Sequence, residues 1–468
     1  MTRGQVRGQV RDLTPGHGSN GPVCAGILLV GGASERFGSP KALAPFRGET
    51  LGERAWRTLN EVCDEVIAVG KSDDLLDLPY PVLDDGSTER APVVGVIAGV
   101  RAASHETCVV LPVDCPLVTA ELLRELVDEG AVPQTGPLPG VYTRSMLPEL
   151  ESRVAAGELS LRGVNSTVLD VDETLLLNVN TRRELLMASI ADWARERDDL
   201  RAAIVVGSQA RTEVPSDAWS DLDVGLFVDD PSRLADDETW VETFGRPVLT
   251  FLEPTAFGNR VERRVLYETG EDVDFPLIEA PTWREFASTP EARTVLARGY
   301  RILYDELGIG DALTVEPPPS EPSSPDSAAF RQLASDFWYH ALWAAKKLRR
   351  GEVLIAKGCT DGYLKARLVT LLEWHARAVD PAVDTWHEGR FIERWADPGA
   401  LAALERAYAH YDLRDVARAL WETIDLWQGV EEEVARRLGL ESGLDHAELR
   451  RRVAEVVPDP RSASTLWP

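Results

Sequence analysis

Residues 202–228 read AAIVVGSQARTEVPSDAWSDLDVGLFV, and this stretch determines the fold expected for the middle of the chain. The apolar run AAIVV predicts a buried strand, and GSQAR predicts a tight turn after it. After a polar loop, DLDVGLFV predicts a second strand that begins with Asp221 and Asp223. Because side chains two residues apart on a strand point to the same face, both carboxylates are expected together at one end of a sheet.

Two neighbouring carboxylates repel each other unless a cation lies between them, so this pair predicts bound Mg²⁺. Such ions bridge a triphosphate and stabilise the leaving pyrophosphate. A third carboxylate is expected from the later strand EDVDFPLIE, where Asp274 is the best candidate and Asp272 shares its face. Gly207 and Ser208 would offer backbone and hydroxyl contacts to the phosphates. The structural alternative is a plain turn followed by an ordinary acidic loop.

A second glycine-rich turn lies near the N-terminus, where residues 28–43 read LLVGGASERFGSPKAL. Its glycines would let backbone amides approach a phosphate, and Arg36 and Lys41 would neutralise charge on the transferred group. A turn with surface cations is the alternative. The later apolar strand CVVLPV is followed directly by Asp114, and a carboxylate at the carboxyl end of a strand can hold Mg²⁺ against a triphosphate.

The 468 residues predict an α/β protein with several domains. Residues 22–186 alternate apolar strands with helices, which predicts a doubly wound sheet, and residues 187–313 have fewer helices, which predicts a mixed α+β sheet. The segment RELLMASIADWARERDDL is expected to be a connecting helix that also opens the second domain. The remaining expected parts are a disordered tail at 1–21, a Pro- and Ser-rich linker at 314–327, a helical bundle at 328–445 and a C-terminal tail at 446–468.

The formal net charge of −27 disfavours binding to nucleic acid and suits a cationic small substrate. No apolar run is long enough to span a bilayer, and the first residues lack the apolar core of a secretory signal. Five cysteines without paired metal spacing indicate reduced thiols. We therefore expect a cytoplasmic protein that acts on small molecules, and its oligomeric state stays open.

The blocks LLVGGASERFGSPKAL, VVGVIAG, LPVDCP, QTGPLPGVYTRSMLPEL and LLNVNTRREL, in this order, resemble the molybdenum cofactor guanylyltransferase family. The resemblance implies a Rossmann-like nucleotidyltransferase fold, GTP as donor, Mg²⁺ at Asp114, and transfer to the terminal phosphate of molybdopterin. Phe37 and Pro40 depart from the usual pattern, so the base and the acceptor stay open, with another cofactor or a sugar phosphate as alternatives. The candidate nucleotide contacts in these blocks are Gly31, Gly32, Ser34, Gly38, Lys41 and Asn180.

The order of the GS turn, the first DxD strand and the second DxD strand resembles the DNA polymerase beta nucleotidyltransferase superfamily. Further blocks, among them TWVETFGRPVLTFLEP, KARLVTLLEWHAR and DLWQGVEEEVARRLG, resemble streptomycin, or aminoglycoside 6-, adenylyltransferases from about residue 185 to 438. This resemblance implies ATP as donor, Mg²⁺, an aminoglycoside hydroxyl as acceptor, and a helical domain that closes over the drug. The implied roles are phosphate binding for Ser208, metal binding for Asp221 and Asp223, and metal ligation or general-base action for Asp274.

One departure affects the phosphate-binding turn, because Gln209 stands where the family usually has a basic residue and Arg211 follows two places later. Together the patterns predict a fused enzyme with two nucleotidyltransferase sites. The alternatives are that one domain only binds nucleotide, or that another hydroxylated metabolite is the acceptor. A nucleic-acid transferase of the same superfamily is disfavoured by the acidic net charge.

Overall fold

The computed structural model describes residues 23–31, 37–71, 76–211, 216–217, 219–255, 260–315, 324–385 and 389–462. The described residues form two compact units, 23–315 and 324–462. The expected tail at 1–21 and residues 316–323 of the expected linker lie outside the described residues. Among the helices that are described, none has the length and hydropathy needed to cross a membrane.

A five-stranded sheet forms the first part of the larger unit, in the order β5-β4-β1-β6-β8. Its first four strands run parallel, and β8 pairs antiparallel with β6. The carboxyl ends of β1, β4 and β6 therefore meet at one edge, where such sheets bind ligands. The strands of this part are β1 (Ala25–Leu29), β2 (Pro45–Phe46), β3 (Glu49–Thr50), β4 (Glu65–Gly70), β5 (Val82–Asp84), β6 (Thr107–Pro112), β7 (Val132–Pro133), β8 (Gly140–Thr143) and β9 (Val168–Leu169), and the helices are α1 (Leu51–Asn60), α2 (Pro92–Ala102), α3 (Ala120–Glu129), α4 (Leu147–Ala155) and α5 (Arg182–Arg195).

Helices cover both faces of this sheet because its strands are apolar on both sides. In β1, Leu28 packs into a core with α1 and α3, whereas Ile27 and Leu29 pack into a second core with α2 and α4. This alternation is the period of two expected for a strand. The result agrees with the apolar runs that predict buried parallel strands.

A six-stranded sheet follows in the order β12-β13-β14-β11-β10-β15. Only the pairing of β11 with β14 is parallel, so the sheet is mixed, as its sequence predicts. Helices α7, α8 and α9 pack on one face. The strands are β10 (Leu200–Val206), β11 (Leu222–Val228), β12 (Pro247–Pro254), β13 (Val261–Tyr267), β14 (Asp272–Glu279) and β15 (Arg301–Asp305), and the helices are α6 (Pro231–Asp236), α7 (Trp283–Ser288), α8 (Pro290–Ala297) and α9 (Ile309–Val315).

Helix α5 contributes to a hydrophobic core that extends from the first sheet to the second. It begins at Thr181, whose side chain accepts a hydrogen bond from the backbone of Glu184, and every residue from Leu186 to Ala194 is buried. One continuous hydrophobic core joins α1 and α3 through this helix to the six-stranded sheet. On its polar side, Asp192 pairs with Arg54 of α1. The boundary expected between residues 186 and 187 therefore falls inside a helix that contacts β10 and β15 of the six-stranded sheet and pairs with α1.

The smaller unit is helical, with a core that contains Phe337, Trp338 and Trp427. The C-terminal tail was expected at residues 446–468, but His446–Val456 instead form a helix. Asp445 caps this helix, Val453 is buried, and Trp421 donates a hydrogen bond to the carbonyl oxygen of residue 457. The narrow apolar stripe of HAELRRRVAEVV is enough to anchor it. The helices are α10 (Ser327–Arg349), α11 (Val353–Gly358), α12 (Leu364–Val379), α13 (Ile392–Trp395), α14 (Pro398–Arg406), α15 (Leu413–Leu438) and α16 (His446–Val456).

Candidate functional site

Three carboxylates meet at one end of the six-stranded sheet. Asp221 directly precedes β11 and Asp223 lies two residues later, so both side chains take the same face. Strand β14 runs parallel beside β11, and its Asp274 is the register partner of Asp223. One ligand oxygen from each of the three lies within 4.8 Å of the other two. Asp272, at the exposed start of β14, is not part of this cluster.

The carboxyl group of Asp274 shows that the cluster suits a cation. Asp274 is 4% exposed, and its Oδ1 atom has no hydrogen-bond partner among the described residues. Burial raises the pKa of Asp274 to about 6, although the guanidinium of Arg264, 3.0 Å from Oδ2, acts in the opposite direction. Divalent cations such as Mg²⁺ are held by carboxylate oxygens, so an unpartnered buried oxygen beside two further carboxylates fits such an ion.

The turn after β10 lies directly against these carboxylates. Gly207 has a φ of 68°, and a Cβ atom at this position would lie 2.2 Å from Oδ2 of Asp223. Only glycine fits both the backbone conformation and the close approach. Ser208 and Gln209 donate hydrogen bonds to the carbonyl oxygen of Asp221, at 3.2 and 3.3 Å. Hydrogen bonds thus connect the turn to the start of the strand that carries Asp223.

Arg211 ends the part of this turn that the structure describes, since residues 212–215 lie outside it. Gly299, before β15, packs against the same turn. With a φ of 127°, it would place a Cβ atom 2.6 Å from the carbonyl oxygen of Ala210 and 3.2 Å from Cα of Arg211. This packing holds Arg211 within the turn that contacts Asp223, and its contact with phosphate stays a prediction.

A cavity of about 450 Å³ opens at the carboxyl ends of β1, β4 and β6. In its lining, Lys41 Nζ donates hydrogen bonds to Asp114 Oδ2 at 3.0 Å and to Asn180 Oδ1 at 2.8 Å. Gly31 lines the same cavity, and a Cβ atom there would lie 3.2 Å from Cα of Gly70. The cavity therefore brings together a cation, a carboxylate, an amide and a glycine that the sequence singles out.

The other candidates of the first glycine-rich turn have different positions. Gly32, Ser34 and Arg36 lie outside the described residues. Gly38 is exposed and is not among the residues that line the cavity. Its φ of 78° explains the glycine through the turn itself, because L side chains rarely adopt that conformation. The structure therefore gives no support to the predicted nucleotide contact of Gly38.

Three charged residues of this cavity belong to none of the motifs that mark the site in the sequence: Lys71, Asp85 and Arg90. Lys71 donates hydrogen bonds to Asp85 Oδ1 at 2.7 Å and to the carbonyl oxygens of Ser87 and Glu89 at 2.7 and 2.6 Å. Lys71 directly follows β4, and its place at the carboxyl end of a parallel strand is the signal that could have identified it. In the central site, no such position in the sequence marks Arg264 as a neighbour of Asp274.

Comparisons with known proteins match the two parts of the chain separately. The family model described as streptomycin adenylyltransferase matches residues 180–453. The model described as MobA-like NTP transferase domain matches residues 26–168. Residues 169–179 separate the two matches, and the second match begins just before helix α5.

Individual relatives follow the same division. A probable molybdenum cofactor guanylyltransferase from Aquifex aeolicus is 30% identical over 191 residues, 38% of this chain and 95% of that protein. An aminoglycoside 6-adenylyltransferase from Bacillus subtilis is 22% identical over 197 residues, 41% of this chain and 67% of that protein. The crystal structure of an aminoglycoside 6-adenyltransferase from Bacillus subtilis covers 59% of this chain and 98% of its own, at 16% identity and a TM-score of 0.29.

Proposed function

Because the chain belongs to the streptomycin adenylyltransferase family and, in its N-terminal part, to the molybdenum cofactor guanylyltransferases, we propose that it is a nucleotidyltransferase with two different active sites. The central site transfers adenylyl from ATP to a hydroxyl of an aminoglycoside. The observation that carries this proposal is the meeting of Asp221, Asp223 and Asp274 within 4.8 Å. We further propose a polymerase-beta-type arrangement for the six-stranded sheet and a Rossmann-like one for the first sheet.

In the central site, Asp221 and Asp223 would hold Mg²⁺, with Asp274 as a further ligand or as a general base. Bound Mg²⁺ supplies positive charge that offsets the triphosphate and the leaving pyrophosphate. Gly207 keeps the turn close enough for its backbone amides to face the phosphates. A sugar hydroxyl is a poor nucleophile until it loses its proton, and a carboxyl with a pKa of about 6 is mostly ionised near neutral pH and can accept that proton.

The acceptor is proposed to be a cationic, hydroxylated small molecule. The formal net charge of −27 attracts polycations, and aminoglycosides are polycationic at neutral pH. The acidic cluster itself adds to this attraction until Mg²⁺ and ATP are bound. The helical unit, within the streptomycin adenylyltransferase match, is proposed to bind the acceptor.

For the N-terminal site we propose guanylyl transfer from GTP to molybdopterin. The supporting observation is the cavity of about 450 Å³ that contains the linked side chains of Lys41, Asp114 and Asn180. Asp114 would hold Mg²⁺, which supplies charge for the triphosphate. Lys41 would leave its bond to Asp114 and neutralise charge that develops on the transferred phosphoryl group.

A product survey tests both reactions. The purified chain is incubated with Mg²⁺, isotopically labelled GTP or ATP, and a panel of aminoglycosides or molybdopterin, and products are identified by mass spectrometry. Asp223→Ala should abolish adenylyl products and leave guanylyl products, and Asp114→Ala should do the reverse. Asp272→Ala is the matched control, because this aspartate lies on the same strand as Asp274 but outside the cluster.

The alternative that one site only binds nucleotide makes a different prediction. Isothermal titration would then show Mg²⁺-dependent nucleotide binding that the aspartate substitution removes, while no acceptor in the panel gives a product at that site. Binding that survives both Asp223→Ala and Asp114→Ala would contradict the site assignments altogether.

A further inference from the structure

The segment 178–183 contacts both sites, and we call it the bridging segment. Its first half belongs to the N-terminal cavity. Asn180 accepts the hydrogen bond from Lys41 and donates one to Asn178 at 2.7 Å, and the backbone N–H of Val179 donates to the carbonyl oxygen of Asp114 at 2.8 Å. The metal-binding candidate of that cavity is therefore bonded directly to this segment.

The other end of the bridging segment reaches the central site. Arg183 Nη1 donates a hydrogen bond to the carbonyl oxygen of Asp217 at 3.0 Å. Asp217 begins a turn that Ser220 closes, since each side chain accepts a hydrogen bond from the other residue, at 3.0 Å. The next residue is Asp221, so Arg183 anchors the backbone from which a metal-binding carboxylate projects.

The bridging segment is short and stiff. Asn180 and Arg183 are three positions apart in the chain, so their Cα atoms lie at most about 11 Å apart. Glu184 Oε2 accepts hydrogen bonds from the backbone N–H of Asn180 at 2.7 Å and from the hydroxyl of Thr181 at 3.2 Å, while Thr181 caps helix α5. A shift at Asn180 is therefore passed to Arg183 with little absorbed between them.

The remainder of helix α5 supplies a fixed support. Its residues from Leu186 to Ala194 are buried in the core shared by the two sheets. Asp192 is held by Arg54 and, at 3.5 Å, by Arg47, both from the first part of the chain. Because the rest of the helix is held in place, any movement of the bridging segment must change the hydrogen bonds that this segment itself makes.

We propose that Arg183 is a positioning residue of the central site, and that nucleotide binding in the N-terminal cavity weakens nucleotide binding at the central site through the bridging segment. The proposal rests on the two nucleotide sites of the proposed function. A bound triphosphate competes with Asn180 for Lys41 and so removes one restraint on the segment. The anchor of Arg183 on Asp217 loosens as a result, and by linkage ATP must weaken GTP binding by the same factor.

Isothermal titration of the full chain tests the inference. The probes are a non-hydrolysable GTP analogue and a non-hydrolysable ATP analogue, each with Mg²⁺, titrated alone and against a saturating amount of the other. Lys41→Ala and Asp223→Ala assign each heat signal to one site. We expect each analogue to raise the Kd of the other by about 5-fold, at the lower end of common coupling factors.

Three variants identify the route. Arg183→Ala should bring the coupling factor below about 2 with unchanged unfolding in urea, and Arg183→Lys, which can still donate to Asp217, should retain part of it. Arg182→Ala is the matched control, because this neighbouring arginine is exposed, and it should keep the full factor. The inference would be overturned if, in the wild type, one analogue left the Kd of the other unchanged or lowered it. A coupling factor that stays the same in Arg183→Ala would also overturn it. Failure of either analogue to bind would refute the proposed function instead.

Discussion

Substitution of Gly207 by alanine tests the close approach between the turn and the Asp223 carboxylate. The new Cβ atom would lie 2.2 Å from Oδ2 of Asp223, whereas carbon and oxygen atoms that are not bonded stay roughly 3 Å or more apart. The carboxylate or the turn must therefore move by about 1 Å, a displacement that costs about 100-fold in rate. The left-handed backbone adds a stability cost of about 1–2 kcal/mol.

The assay measures adenylyl transfer with saturating Mg²⁺ and ATP, and urea unfolding measures stability. Gly308→Ala is the control, because Gly308 has a φ of 67° but nothing within 4 Å of its Cβ position. Both variants should lose similar stability, but only Gly207→Ala should lose about 100-fold in rate. If Gly207→Ala keeps more than half of the wild-type rate, the turn does not position Asp223 and this reasoning fails.

The remaining predictions concern three other sites. Lys41→Ala should lower guanylyl transfer by about 100-fold or more while changing adenylyl transfer less than about 10-fold, and equal losses in both would contradict separate sites. Arg54→Ala should lower the free energy of unfolding by about 2 kcal/mol, because its pair with Asp192 is largely buried, at 20% and 12% exposure. Arg57→Ala, which removes the more exposed pairs that another arginine of α1 makes with Glu49 and Glu61, should cost less than about 0.5 kcal/mol by the same urea titration. Burial raises the pKa of Glu373 from 4.5 to about 7, so the folded state holds this proton more tightly and stability should fall, on the order of 2–3 kcal/mol, as pH rises from about 4.5 to 7. Glu373→Gln should remove that dependence, and identical pH profiles of unfolding would exclude it.

The residues of the central carboxylate cluster could be predicted because the pattern that identifies each of them lies within one strand. A period of two along a strand puts Asp221 and Asp223 on one face, and a strand that repeats this pattern points to Asp274. The same holds for Asp114, which directly follows an apolar strand. Apolar runs and the turns between them are enough to predict where these strands begin and end.

Contacts between distant residues could not be predicted in this way. Lys41 and Asn180 are 139 positions apart, and only the order of strands in the sheet brings them together. Arg264 matters because β13 lies beside β14, a neighbour relation that the chain order alone does not determine. Helix α16 could not be predicted for another reason, since its charged residues are as numerous as its apolar ones, although Asp445 at its start is an ordinary capping signal.

Helix α5 has a consequence for how this protein can be divided or recombined. A cut between residues 186 and 187 would split a helix whose residues from Leu186 to Ala194 are buried in a core that the two sheets share. The helix contacts β10 and β15, and its Asp192 pairs with Arg54 of α1, so the cut would disturb buried contacts of both halves.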